Sequence, residues 1–454
     1  MNFRGSITPA LLIITSAFVI VIYGMLSVLS VQLDTSHRQT AQEEAINIAE
    51  AGVNYYRWHL AHDPNDFTDG TGGGGPFTHD YYDPQGKLVG SYTLEITPPQ
   101  NGSSVVTIKS TARTLQYPDV ERTITAQYGK QSLTKFSFLQ NSSSWYGSGI
   151  TVNGEVHSNN GIRMDGVNNS KVTSAQETYT CGGETGCNPP QSRAGVWGSG
   201  PNNYLWEFPI PAVDFDSISF DFANMRDSAI SDGLYLGPSG SRGYHLLFSG
   251  NTVNVRRVTG TNYYSGYASD DGCQRRYQII TSENSIGNYN IADVPILFAE
   301  DHLWVEGVIN GRVTTVAARF PIDSNQMNIW IRDNLTYAQY DNSDSLGLIA
   351  QNDIYFVRNL PTNFRVDGAL MAQKGKIIRH GYISGCGSSS YSVRNSLTIN
   401  GSIISFYKSY WNFGTTPSSG FITRTITYNS DMTYFPPPYF PVTGDFEIIS
   451  WKEE

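Results

Sequence analysis

The first sixty residues constrain the fold more than any other part of the chain. Residues 9–31 form an apolar run in which Tyr23 is the only ionisable side chain. A helix of that length rises about 35 Å, enough to cross a bilayer core of about 30 Å. No small-x-small cleavage site follows the run, as a secretory signal would require. We therefore predict a single membrane span, with Arg4 keeping the short leader in the cytoplasm and the rest of the chain exported.

The helical pattern continues beyond this span. Residues 32–60 contain no proline, and Gly52 is their only glycine. Apolar residues recur at spacings of three and four, which is one face of a helix. They are Ala41, Ala45, Ile48, Ala49, Gly52, Val53, Tyr56 and Leu60. The sequence thus predicts one continuous helix with a face of small residues suited to close packing against a neighbour.

Two short motifs carry a resemblance to a known family. Arg4 and Gly5 stand directly before the apolar run, and Ala49-Glu50-Ala51-Gly52 lies near the end of the helix. On these residues the N-terminal region resembles that of PilX-type minor pilins and GspK-type pseudopilins. In that family a prepilin peptidase cuts after the glycine, which implies processing between Gly5 and Ser6. Major pilins keep a glutamate at the fifth mature position, where this chain has Ala10, so the resemblance implies an accessory or tip subunit.

The remainder of the chain predicts mainly strands. Three alternating segments within residues 88–127 predict a small antiparallel meander, which needs the helix to cover its apolar face. Short alternating segments that end in Asn-Gly or Asp-Gly recur irregularly after it, and they favour an irregular right-handed β-helix over a sandwich. The predicted class is α+β: a long pilin-like helix on a small sheet, followed by a large mainly-β domain.

The predicted boundaries follow from these patterns. Residues 1–5 are the leader, 6–60 the helix, 61–130 the small β-meander and 131–454 the large exported β-rich domain. Residues 196–296 are expected to form an α/β insertion in that domain. Its helix follows Pro211 and places on one face Ile218, Phe222, Met225 and Ile230. The proline-rich segment 435–441 is expected to lie extended along the solenoid.

The four cysteines suit an exported protein. Cys181 and Cys187 bracket five residues of a glycine-rich loop, which favours a local disulfide and leaves Cys273 and Cys386 as a long-range pair. Four cysteines allow three pairings, and the sequence does not select one. No Cys-x-x-Cys is present, which disfavours a zinc site. We predict neither a metal nor another cofactor.

Two histidines and two aspartates at the end of the predicted helix and in the loop after it offer a second set of side chains that could bind a metal. They are His59, His62, Asp63 and Asp66, before and within a stretch rich in glycine and aspartate. Their spacing lacks the alternation of an EF-hand loop, so a solvated loop is favoured. No catalytic residue is predicted either: the serine of Gly237-Pro-Ser-Gly-Ser lacks the strand-to-helix setting of a nucleophile elbow, and Asp214 and Asp216 suit turns or caps.

Aromatic residues near loops are the remaining candidates for binding. Such rings stack on sugars, anchor protein interfaces or fill the ends of a solenoid. The set comprises Trp145, Tyr146, Tyr204, Trp206, Tyr263, Tyr264, Tyr407, Tyr410 and Trp411. The net charge of −10 and the lack of a long basic run disfavour nucleic acid as a partner.

Together these features predict a non-enzymatic, single-pass minor pilin-like protein at the cell membrane or pilus. It would contact lipid through residues 9–31 and other pilin-like subunits through its helix. Its β-rich domain would serve surface attachment or pilus assembly, with a glycan or another cell-surface molecule as ligand. Two alternatives stay open: an uncleaved single-span envelope structural protein, and a membrane-tethered β-helix enzyme acting on carbohydrate.

Overall fold

The computed structural model describes residues 7–99, 103–215, 217–414, 417–433 and 435–454. Gly5 and Ser6, the expected processing site, lie outside these residues. The chain divides into two compact units. Unit 1 comprises Met1–Pro99, Val105–Gly129 and Phe446–Glu454; unit 2 comprises Gln100–Ser104 and Lys130–Asp445.

Within these described residues the secondary structure consists of two α-helices, short 3-10 turns and many strands. The helices are α1 (Ile7–His62) and α2 (Ser217–Asp232). The first strands are β1 (Phe77–Tyr82), β2 (Leu88–Thr97), β3 (Val106–Thr114), β4 (Glu121–Ser132), β5 (Phe136–Gln140), β6 (Ser144–Tyr146), β7 (Ile150–Asn153), β8 (Glu155–Ser158), β9 (Ile162–Met164), β10 (Val167–Asn168), β11 (Val172–Ser174), β12 (Thr178–Cys181), β13 (Gln191–Ala194), β14 (Val196–Trp197) and β15 (Trp206–Glu207). The others are β16 (Leu234–Leu236), β17 (Gly243–Gly250), β18 (Thr252–Ala268), β19 (Gly272–Asn290), β20 (Ile296–Ala299), β21 (Leu303–Ile309), β22 (Arg312–Ala317), β23 (Ile329–Tyr337), β24 (Ser345–Ala350), β25 (Ile354–Phe356), β26 (Asn363–Ala372), β27 (Ile377–Arg379), β28 (Val393–Ser405), β29 (Gly420–Thr427) and β30 (Val442–Glu453).

Helix α1 changes its surroundings part-way along its length. Residues 11–40 are exposed on every side, although residues 11–33 are mostly apolar. The hydroxyl groups of Thr15 and Ser16 donate to the carbonyls of Leu11 and Leu12, at 2.9 and 2.7 Å, so even these polar groups are satisfied within the helix. From Ala41 onward one face is buried, and it consists of the eight residues with the predicted three- and four-residue spacing.

The buried face of α1 packs on the sheet of unit 1. Its strand order is β1-β2-β3-β4-β30. The sequence predicted three strands, and the structure adds one at each side. β1 follows the glycine-rich loop, whereas β30 returns from the far end of the chain. The last nine residues therefore belong to unit 1, not to the β-rich domain assigned to 131–454.

Backbone and ring contacts tie β30 to β4. The amides of Thr123 and Glu454 each donate to the other residue's carbonyl, at 3.3 and 2.9 Å. Phe446 stacks on Tyr128 with ring centroids 5.2 Å apart. No local sequence pattern distinguishes β30 from the strands of unit 2. Its partner β4 lies about three hundred residues earlier in the chain, and tertiary packing decides pairing over such a distance.

Gly52 brings the backbone of α1 close to this sheet. A Cβ atom at this position would lie 2.4 Å from Ser110 Oγ and 2.7 Å from the Tyr92 ring. We expect Gly52→Val to lower the free energy of unfolding of unit 1 by about 1–3 kcal/mol, because a rigid ring blocks the added methyl groups. Denaturant unfolding of the full chain in detergent, followed by tryptophan fluorescence, measures this. The matched control is Gly24→Val, since a Cβ at Gly24 has no atom within 4 Å; equal effects of the two substitutions would contradict the packing described.

Unit 2 is built from parallel stacks of short strands. One stack runs β16-β20-β22-β24-β26-β28-β5-β8-β11-β15. A second runs β17-β21-β23-β26-β28-β29-β7-β10. Shorter stacks are β23-β25-β27 and β6-β9-β14. Parallel stacking of successive coils is the arrangement of a solenoid, whereas an immunoglobulin-type sandwich pairs its strands antiparallel. The predicted class, a long helix followed by a large mainly-β domain, is confirmed.

The coils are not stacked in chain order. β5 lies beside the end of β28, with Phe138 opposite Ile403 and Gln140 opposite Ser405. The coils of residues 136–207 thus extend the stack that the coils of residues 296–427 form. The intervening segment, which contains α2, leads from β15 at one end of the first stack to β16 at the other.

Helix α2 buries a slightly different face from the predicted one. Phe222, Met225 and Ala229 are buried, whereas Ile230 is 61% exposed. The spacing of three and then four residues selects Ala229 over Ile230 as the core position.

The expected insertion at 196–296 is instead part of the stacks. β14 and β15 pair with β9 and β11 at one end of this segment, and β17 pairs with β21 near the other. Within this segment β17, β18 and β19 also pair antiparallel with one another in chain order. The proline-rich segment that follows β29 packs onto a coil, where Phe440 is buried close to Gly347.

Candidate functional site

The exposed half of α1 is the first candidate site. Among the described residues, one helix is long and apolar enough to cross a membrane by length and composition, and it is this one, over Leu11–His62. Its most apolar 18-residue window has a mean hydropathy of 2.5, and none of that window is buried within the protein. A core helix of comparable hydropathy would be covered by the rest of the chain. The apolar side chains of this segment can therefore contact an apolar environment or another protein chain.

The acidic loop after α1 is organised by one carboxylate. Asp66 accepts hydrogen bonds from the Thr68 amide at 2.8 Å and the Gly70 amide at 2.6 Å, and lies 3.0 Å from His59 Nε2. The Thr68 hydroxyl also donates to Asp66 Oδ1, at 2.6 Å, and this bond, followed by those from the two amides, lowers the pKa of Asp66 to about 2. The His62 ring instead contacts the Trp58 carbonyl. Within the described residues no group of three or more potential metal ligands converges.

The second candidate site is a cleft in unit 2. Two adjoining cavities of about 590 and 870 Å³ share four lining residues, Trp145, Lys408, Tyr410 and Asn412. We call the pair of cavities the Trp145 cleft. Residues so distant in sequence meet here because β5 stacks on the end of β28, which places the segments after these two strands side by side. Pockets of a few hundred to a thousand cubic ångströms accommodate small ligands.

Trp145 is held rigidly at the wall of the cleft. Strand pairing places it opposite Arg163, whose guanidinium carbon lies 4.3 Å from the Trp145 ring centroid and 4.9 Å from that of Trp197. The indole nitrogen of Trp145 donates to Asp165 Oδ2 at 2.9 Å. One arginine thus lies between two tryptophans of neighbouring coils, while 40% of Trp145 stays exposed.

Asp165 is fully engaged by this arrangement. Besides Trp145, it accepts from Arg163 Nε at 2.7 Å and from the amide and hydroxyl of Ser199 at 3.0 Å. Burial acts to raise the pKa of Asp165, but these hydrogen bonds and the nearby guanidinium outweigh it and hold the pKa below its usual value. Its negative charge is therefore already compensated by Arg163.

Lys408 brings a positive charge into the cleft. Its Nζ lies 5.8 Å from the Trp145 ring centroid and donates to the backbone carbonyl of Glu184. Burial lowers the pKa of Lys408 to about 8, while the Glu184 carboxylate acts in the opposite direction. The amine is thus mostly protonated at neutral pH.

The two disulfides fix loops at this cleft. The structure joins Cys181 to Cys187 and Cys273 to Cys386, which are the favoured pairs. The first bond closes the loop that carries Glu184. The second holds the tip of the β18–β19 hairpin, where Asp270 accepts from Lys376 Nζ at 2.6 Å. Glu184, Asp270 and Lys376 all line the larger cavity.

The structure brings together five of the nine predicted aromatic residues. Trp145, Tyr146, Tyr407, Tyr410 and Trp411 all line the cleft. Among them Tyr146 and Trp411 are buried, so they also serve as core, as the packing interpretation expected. The other four lie elsewhere: Tyr204, Trp206, Tyr263 and Tyr264. The guanidinium groups of Arg275 and Arg358 cover the rings of Tyr263 and Tyr264.

Sequence reasoning missed one further aromatic feature, a ladder of stacked rings that begins on β21 and continues on β23 and β25. Trp304 pairs with Trp330 and Trp330 with Tyr355, at centroid distances of 4.7 and 5.6 Å. His380 continues the ladder, 4.9 Å from Tyr355. The signal was present, because an aromatic residue occupies the second position of Leu303-Trp-Val, Ile329-Trp-Ile and Ile354-Tyr-Phe. The charged residues of the Trp145 cleft had no comparable signal.

The serine of Gly237-Pro-Ser-Gly-Ser and two buried histidines, whose side chains could serve in catalysis, make contacts within the fold. The Ser239 hydroxyl donates to Asp301 at 2.7 Å and accepts from the amides of Ser241 and Gly243, as in a turn. His157 is buried against Thr173, and His245 lies between Glu283 and Glu306. Asp216 lies outside the described residues.

Comparisons with known proteins add little to these contacts. No protein-family model matches the sequence, and no curated protein matches it. Among solved structures, the competence-associated pilin ComZ from Thermus thermophilus is similar to this chain. The sequence identity is 13% and the TM-score 0.30, over 91% of this chain and 98% of that one. A TM-score at this level does not establish a common fold, so the likeness carries no weight in assigning a function.

Proposed function

We propose that this protein is a membrane-anchored, pilin-like subunit of a type IV pilus or a secretion-type assembly. Prepilin peptidase would remove the leader between Gly5 and Ser6. The first half of α1 would lie in the lipid and then among the helices of neighbouring subunits. Unit 2 would be displayed outside the membrane for surface attachment or for control of assembly, as an accessory or tip subunit.

The division of α1 carries this proposal. Its second half is anchored by eight buried residues on a sheet, so the helix is a rigid part of unit 1. Its first half exposes large apolar side chains throughout, among them Leu12, Ile13 and Ile20 at 68–70% exposure. Each square ångström of such surface costs about 25 cal/mol in water. A folded unit with an exposed apolar helix can insert that helix first into a bilayer and later into a bundle of like helices.

Two observations support export of the remainder. The span by itself is long enough for one crossing, and Arg4 is the only charged side chain before it. Both disulfides lie in unit 2, and structural disulfides persist in oxidising compartments outside the cytoplasm.

Mass spectrometry of the native protein tests the proposed processing. We expect a mature N-terminus at Ser6, and we expect a Gly5→Val variant to keep residues 1–5, because the peptidase of this family cuts after glycine. Immunogold labelling of unit 2 should then mark filament ends or assembly sites. An intact Met1 in the wild-type chain, with label spread evenly over the membrane, would contradict the proposal and favour an uncleaved single-span envelope protein.

A further inference from the structure

The smaller cavity of the Trp145 cleft contains an arginine that the fold does not use. Arg424 of β29 lines this cavity. Its guanidinium lies against the backbone, and a Cβ built on Gly149 would be 3.1 Å from Nη2. Among the residues that the structure describes, its buried Nε has no hydrogen-bond partner and no carboxylate lies within ion-pair distance of the group. Burial lowers the pKa of Arg424, yet an arginine remains charged.

A half-buried cation without an anion is costly unless something else compensates it. The one carboxylate that lines the same cavity, Asp165, is already paired with Arg163 and accepts three further hydrogen bonds. Lys408 adds a second positive charge to this lining. The cavity is therefore locally positive in a chain whose net charge is −10.

The rest of the lining suits a sugar. Trp145 offers a partly exposed, rigid ring face, and Tyr410 and Asn412 offer a further ring and an amide. Several buried polar atoms of the lining, among them Gln140 Oε1 and Trp411 Nε1, lack partners among the described residues. Aromatic faces next to hydrogen-bonding groups recognise the apolar face and the hydroxyl groups of a pyranose ring.

We propose that the Trp145 cleft binds an acidic saccharide, with a sugar ring on Trp145 and its carboxylate between Arg424 and Lys408. This binding names the ligand class of the displayed unit. It does not depend on processing at Gly5, so the N-terminal mass spectrum and the binding measurement below can fail separately.

Isothermal titration calorimetry with the full-length chain in detergent micelles tests the proposal. The probes are three acidic oligosaccharides, namely tri-galacturonate, a hyaluronan tetrasaccharide and sialyllactose, each beside its neutral methyl ester. We expect at least one acid to bind at least tenfold more tightly than its ester. We expect Arg424→Gln and Lys408→Met each to weaken that binding at least tenfold, and Trp145→Ala to abolish it.

Arg257→Gln is the matched control, because Arg257 is exposed and lines neither cavity of the cleft. It should bind like the wild type, and thermal unfolding should show that all variants are folded. The proposal is overturned if no acid binds better than its ester, or if Arg424→Gln and Lys408→Met bind as tightly as Arg257→Gln. It is also overturned if sodium sulfate alone competes as well as the saccharide, since the cleft would then be a simple anion site.

Discussion

Replacing both Cys273 and Cys386 with serine is expected to lower the free energy of unfolding of unit 2 by about 2–5 kcal/mol. The bond links residues 113 positions apart. A crosslink over so long a loop removes much chain entropy from the unfolded state. It also holds the tip of the β18–β19 hairpin, so its loss exposes the backbone of that tip to local unfolding. Denaturant unfolding of the oxidised wild type and the variant, side by side, measures the difference.

The second disulfide provides the control. Cys181 and Cys187 are six positions apart, and the same loop-entropy argument gives about 2 kcal/mol for their removal. We therefore expect the double serine variant of this pair to unfold at a higher denaturant concentration than the Cys273 and Cys386 variant. The reverse order would show that the long-range bond does not constrain the unfolded chain as inferred.

The substitution Trp304→Ala is expected to lower the free energy of unfolding of unit 2 by about 3–5 kcal/mol. Trp304 is 2% exposed, stacks on Trp330, and donates from its indole nitrogen to the Gln278 carbonyl at 3.3 Å. The change leaves a large cavity at the start of the aromatic ladder and an unsatisfied carbonyl on the hairpin. The midpoint of denaturant unfolding, followed by near-ultraviolet circular dichroism, reports the loss.

Tyr204→Ala serves as the comparison, because Tyr204 is 78% exposed on the same unit. This substitution should change the free energy of unfolding by no more than about 0.5 kcal/mol, as most surface substitutions do. An equally mild effect of Trp304→Ala would contradict the assignment of Trp304 to the stabilising core of unit 2.

The helix was predictable because its signals are local. A long uncharged run, a three- and four-residue spacing and the absence of proline each act within a few turns. The structure accordingly places all eight predicted residues of α1 in the core. The prediction failed at Ile230 by one position, because the spacing of three and four residues continues from Met225 to the smaller Ala229 and leaves Ile230 exposed.

The stacking of unit 2 was not predictable in the same way. Short alternating segments show that strands exist, but any one of them can pair with many others. The sequence therefore did not indicate that β5 would pair with β28, or that β30 would leave unit 2 for the sheet of unit 1. The Trp145 cleft depends on the first of these pairings, and so its charged members, Arg424 and Lys408, were missed while its aromatic members were named.

The most direct test of the account is where the full-length chain resides. We predict that it stays in the membrane pellet after alkaline carbonate extraction, and that protease digests unit 2 only from the exported side of sealed vesicles. Substituting aspartate at both Ile20 and Ile22 should release the chain, because each charge at the centre of a span costs about 2.5–3.5 kcal/mol. A wild-type chain that is recovered freely soluble in the cytosol would contradict the central claim that the exposed half of α1 is a membrane anchor.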